Sequence, residues 1–116
     1  MSYELINVAA SATSAVKNVY EIIKDLITRR KNNQPITSAN IRLLKESSER
    51  AIALARLAGI HSLVTRARSY MGESLQQIEK YRNTAIGDIC LESLRSEWDF
   101  YGIICEFYLR MTGGTA

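Results

Sequence analysis

Leu54-Ala55-Arg56-Leu57-Ala58-Gly59-Ile60-His61-Ser62-Leu63-Val64 is the stretch on which the fold turns. Before it, Ile41, Leu44, Ala51, Leu54, Ala55 and Ala58 gather on one side of a helix that advances about 100° per residue. Arg42, Lys45, Glu46, Glu49, Arg50 and Arg56 take the opposite side. Beyond Gly59 the pattern inverts, and Ile60, Leu63, Val64, Ala67 and Met71 fall where the charges had been. One straight helix cannot face a single core with both halves. Gly59 is therefore expected just past a helix C-terminus, with Ile60 as the apolar contact that follows it, and Ser62 as the cap of the next helix.

Upstream, Leu5, Ala12, Val19 and Leu26 recur every seven residues, with Val8, Ala15 and Ile22 beside them and Ala9, Val16 and Ile23 completing the stripe. This predicts a long amphipathic helix over 3–31. It ends in Arg29-Arg30-Lys31, cations suited to the C-terminal end of a helix dipole. Asn32-Asn33-Gln34-Pro35 reads as a turn, and Thr37 or Ser38 as the cap of a second helix over 38–58. Antiparallel pairing across that turn sets Ala9–Ala15 against Ala51–Gly59, and Leu26 and Ile27 against Leu43 and Leu44.

Downstream, Val64, Ala67, Met71, Leu75 and Ile78 stay in phase through Gly72, giving a third helix over 62–82. Asn83-Thr84 offers a cap for a fourth over 84–111. The alternative is one unbroken helix from 62 to 111, for three long helices in all. No segment alternates in the manner of a strand. The expected fold is all-α, an antiparallel up-and-down bundle of four helices forming one domain over 1–112, with 113–116 as a flexible C-terminal tail.

Composition agrees with this. The chain has 116 residues, 47% hydrophobic and 23% charged, which excludes a disordered segment, a collagen-like repeat and a disulfide-stapled miniprotein. No apolar run approaches the ~18 residues of a membrane span, and Met1–Ala10 lacks the basic start of a secretory signal. With only Cys90 and Cys105, expected as reduced thiols, the expected location is cytoplasmic. The net charge of +3 is unevenly spread. Residues 1–69 hold eleven basic and five acidic side chains; residues 70–116 hold four and seven. That asymmetry could steer a partner or a second copy.

The last helix is the richest segment. Asp88, Glu92, Arg95, Asp99, Gly102, Glu106 and Arg110 form one narrow polar strip, and apolar or aromatic residues occupy most of the remaining circumference. Burial of each large aromatic is worth about 1.5–3 kcal/mol, and a whole domain is stable by only about 5–15 kcal/mol. A four-helix bundle has no central helix, so a second copy of the chain is expected to cover this one. The residues assigned to a homodimer or partner interface are Trp98, Phe100, Tyr101, Ile104, Phe107 and Tyr108. Glu97 lies inside the apolar arc and could pair across such an interface.

Motifs for chemistry are sparse. His61 is the single histidine and reads as a turn residue. No metal-ligand spacing such as Cys-x-x-Cys or Glu-x-x-His occurs, nor a glycine-rich phosphate loop. The expectation is no catalytic residue, no metal and no cofactor. Residues 54–66 resemble the first half of a DNA-binding helix-turn-helix, through Ala55, Gly59 and the apolar Leu54, Ala58 and Ile60. Val64 then arrives one position early, and Thr65 and Arg68 stand where apolar anchors belong. That resemblance implies Arg66 and Arg68 as DNA contacts, and Arg29, Arg30 and Lys31 form a second basic group able to meet phosphates. The favoured expectation is a small non-enzymatic interaction or regulatory protein, homodimeric or bound to a protein partner. A DNA-binding regulator is the first alternative and an enzyme with its site at the dimer seam the second.

Overall fold

The computed structural model describes residues 3–112, with side chains from Ile6 onward. The expected tail at 113–116 lies outside the described residues. Four helices follow one another: α1 (Tyr3–Lys31), α2 (Ser38–Leu57), α3 (His61–Lys80) and α4 (Ala85–Met111). No strand occurs among the described residues. α1 packs on α2 and α4, and α3 on α2 and α4, so the chain runs round a four-cornered bundle with each helix beside its sequence neighbour. The molecule measures 47 × 25 × 20 Å. At 1.5 Å per residue even the 20-residue α2 and α3 need about 30 Å, more than either short dimension, so they run lengthwise.

Each reversal has a local cause. α1 and α2 both close with a Schellman turn. At the first, Asn33 takes φ 59°, Asn33 N–H donates to the Arg30 carbonyl and Gln34 N–H to that of Arg29. At the second, Gly59 takes φ 78°, its N–H donates to the Arg56 carbonyl, and Ile60 N–H donates to that of Ala55. Ile60 is buried, as the inversion of the stripe requires. Thr37 caps α2 in a reciprocal box with Asn40, and Thr84 caps α4 by accepting from Gly87 N–H. Ser62 does not cap α3. That helix already begins at His61, its N-cap position is Ile60, and no side chain caps it.

The bundle is divided at 81–84, which settles the choice between four helices and three. Asn83 adopts φ 64° there, a conformation Asn tolerates better than most residues. Its side-chain amide grips the α1–α2 loop, accepting from Ile36 N–H at 2.7 Å and donating to the Ile36 carbonyl at 3.1 Å. Gly87 is buried against this turn, where a Cβ would overlap the Tyr81 carbonyl oxygen.

The core follows most of the predicted stripe, with Val8, Ala15, Ile22, Leu54 and Leu75 partly buried at its edge and the Leu5 side chain outside the described residues. Where α1 and α2 meet, the small residues Ala9, Ala12, Ala51, Ala55 and Ala58 are all buried. Leu26 and Leu44 are buried as expected, but Leu43 is half exposed. Trp98 and Tyr101 fill the centre edge to face, 5.0 Å apart, and the indole N–H points at Met71 Sδ at 3.2 Å.

Candidate functional site

α4 carries two apolar faces. Gly87, Leu91, Leu94, Trp98, Tyr101 and Cys105 are buried and face the bundle interior. Ile86, Ile89, Phe100, Ile103, Phe107 and Met111 are 40–72% exposed. The second set falls on one line: 86, 89, 93, 96, 100, 103 and 107 are separated alternately by three and four residues, with Ser93 and Ser96 at the two inner places. Such 3–4 spacing is the seam of a coiled coil, presented here to solvent.

This arrangement revises the interface assigned from sequence. Trp98 and Tyr101 belong to the core of their own chain and are closed to any partner. Ile104 and Tyr108 are half-buried against the bundle. Phe100 and Phe107 lie on the outward line, and Ile86, Ile89, Ile103 and Met111 join them. The polar strip is not the outward face. It borders α1, where Asp88 accepts from Arg30 at 2.7 and 3.2 Å, and Glu106 meets Lys17 at 2.7 Å.

The flank toward α3 is built on Glu97. It is buried, accepting from Arg66 Nε at 2.7 Å, Arg66 Nη2 at 2.9 Å and the Tyr101 hydroxyl at 2.6 Å. The Arg66 guanidinium also lies over the Phe100 ring, 4.7 Å from its centre. The Arg66 hydrogen bonds hold the Glu97 carboxyl below the usual carboxylate range. Burial, followed by the bond to Glu97, pushes the Tyr101 phenol up, and burial pushes the Cys105 thiol up to about 11. Glu97 thus pairs within its own chain.

The basic candidates separate into two groups toward opposite ends of the bundle. Arg29 donates to the Pro35 carbonyl at 3.0 Å, Arg30 is bound to Asp88, and Lys31 is exposed. Arg66 is engaged by Glu97, while Arg68 is exposed. Residues 54–66 hold the turn of a lengthwise αα-hairpin whose 20-residue arms are α2 and α3, unlike the steeply crossed helices of a helix-turn-helix. Part of the uneven charge along the sequence is used internally. Arg30–Asp88, Arg66–Glu97 and Lys17–Glu106 each join the basic first part to the acidic last part.

An open groove of about 1030 Å³ runs between α3 and α4, lined by His61, Thr65, Ser69, Tyr70, Cys90 and Ser93 among others. Its one cation–carboxylate pair, Arg66–Glu97, is already closed on itself. Among the described residues no three His, Cys, Asp or Glu side chains are grouped to hold a metal. Cys90 and Cys105 are free thiols, and among the described residues no helix is long and apolar enough to cross a membrane. Comparison with known proteins returns no match, whether among family models, curated proteins or solved structures.

Proposed function

We propose that this chain is a non-enzymatic interaction protein that works by joining copies of itself through the outward face of α4. The observation that carries the reading is the exposed apolar line of Ile86, Ile89, Phe100, Ile103, Phe107 and Met111. Six side chains of roughly 200 Å² each, a little over half bare, leave on the order of 700 Å² of apolar surface on one face. The area is divided by Ser93 and Ser96, and in sum it approaches the roughly 800 Å² that a standard interface takes from each partner. Water-exposed helix surface of this kind is costly unless covered.

Sedimentation of the wild-type chain and of Phe107→Glu tests this. The expected result is a wild-type dimer at micromolar concentration and a folded, monomeric variant, since Phe107 is 63% exposed and the bundle does not need it. A wild-type chain that stays monomeric at every concentration would overturn the reading. So would a Phe107→Glu chain that dimerises as well as wild type.

A further inference from the structure

From the spacing of the outward line we infer that two copies pair through α4 in antiparallel fashion, about a two-fold axis beside residue 98. This rests on the self-association proposed above and adds its geometry. In an antiparallel pair related by a two-fold axis, residue i faces the partner residue for which the two numbers have a fixed sum. With that axis at 98, Ile89 faces the partner's Phe107, Ser93 the partner's Ile103, and Ser96 the partner's Phe100. Ile86 falls against the helix end at Arg110 and Met111.

The register sets each serine against a large apolar side chain. The two central layers are small against large, and the outer layers are large against large. Interfaces pack to the density of protein interiors, so this complementarity decides between arrangements. A parallel pair would set Ser93 on Ser93 and Ser96 on Ser96, two successive layers without an apolar side chain. It would also stack Phe100 on Phe100 and Phe107 on Phe107.

The flanks fit this placement on one side and oppose it slightly on the other. Toward α3, Arg66 covers Phe100 and is neutralised by Glu97. Toward α1, Glu106 and Glu92 each hold a cation of their own chain, Lys17 and Arg95. Asp99, one residue from the axis, meets its own copy.

Disulfide trapping reads the register directly. In a Cys90→Ser background, Ile89→Cys and Phe107→Cys chains are oxidised alone and as an equal mixture. Residues 89 and 107 of one helix are about 27 Å apart, and a disulfide needs Cα atoms within about 7 Å. A bond between the two positions is therefore intermolecular. The expected result is covalent dimer in the mixture and little with either chain alone. A spin label at Met111→Cys gives a second measurement. Thirteen residues from the axis, two labels are expected about 39 Å apart when antiparallel and roughly 10 Å apart when parallel. Covalent dimer from each chain alone, with short label distances, would overturn the register and leave the dimer standing. A chain that sediments as a dimer but gives neither disulfide nor either label distance would place the contact on another face. A chain that never dimerises would remove the proposed function itself.

Discussion

Removing the Glu97 carboxylate is expected to destabilise the chain by about 2–3 kcal/mol, and Tyr101 explains most of that loss. Glu97 accepts three hydrogen bonds, two from Arg66 and one from the Tyr101 hydroxyl. The Arg66 side chain is 54% exposed and can turn to water once released. Tyr101 is wholly buried and cannot. In Glu97→Ala its hydroxyl is left without a partner, at about 1–3 kcal/mol, and the truncation also removes side-chain packing. Tyr101→Phe takes away the hydroxyl while Arg66 still satisfies the carboxylate, so it is expected to cost only about 0.5–1.5 kcal/mol. The double variant has no stranded hydroxyl. It is expected to lose clearly less than the sum of the two single losses.

Urea denaturation of the four proteins at neutral pH supplies the numbers, and repetition toward acid on wild type and Glu97→Gln supplies the sign. Arg66 holds the Glu97 carboxyl below the usual carboxylate range. A carboxyl with a lower pKa folded than unfolded contributes stability that is fully present above the unfolded value, about 4.3. That contribution is lost as pH falls through the folded value. Wild type should therefore lose stability below about pH 5 more steeply than Glu97→Gln, which keeps a side chain able to meet Tyr101 but has no charge to titrate. Additive single losses, or an acid limb as steep in Glu97→Gln as in wild type, would refute the reasoning.

Gly87→Ala is expected to cost about 1–3 kcal/mol, because the added methyl would overlap the Tyr81 carbonyl oxygen in the turn that separates α3 from α4; thermal melting detects it. Trp98→Ala and Ile103→Ala, measured in urea at a concentration where the chain is monomeric, should differ sharply. The first empties the core and costs about 3–5 kcal/mol, while the second touches a residue 58% exposed and shifts stability by about 0.5 kcal/mol or less. In the proposed dimer, where Asp99 would face its own copy, Asp99→Asn should tighten association by roughly two- to fivefold, and sedimentation at low salt shows it best.

Most of the fold was legible because each boundary has a local cause written in one or two residues. The side-change of the stripe at Gly59 needs a left-handed residue, and glycine supplies it. Thr37 and Thr84 stand where caps are needed. Ser62 is not the cap of α3 because the Schellman turn that closes α2 ends at Ile60 and the chain enters α3 at once, at His61. The ion pairs were out of reach. Nothing in the local sequence links Arg66 to Glu97 or Arg30 to Asp88, 31 and 58 residues apart.

The outward face of α4 was half legible, and the missing half lies in two serines. A helix apolar round most of its circumference gives no direction to its core when single residues are counted. The two lines along it nonetheless differ in continuity. Leu91, Leu94, Trp98, Tyr101 and Cys105 run without a polar interruption and turn inward, where any hydroxyl would need a partner. Ile86, Ile89, Phe100, Ile103 and Phe107 are interrupted at Ser93 and Ser96 and turn outward. That same interruption limits what an exposed apolar line would otherwise do. An uninterrupted line offers many equivalent registers to a second helix and invites open-ended association. Two small residues placed four and seven before Phe100 leave one antiparallel register in which each hollow is filled and Phe100, Ile103 and Phe107 all have a partner across the seam. A contact of that symmetry uses the same face on both copies and closes at two.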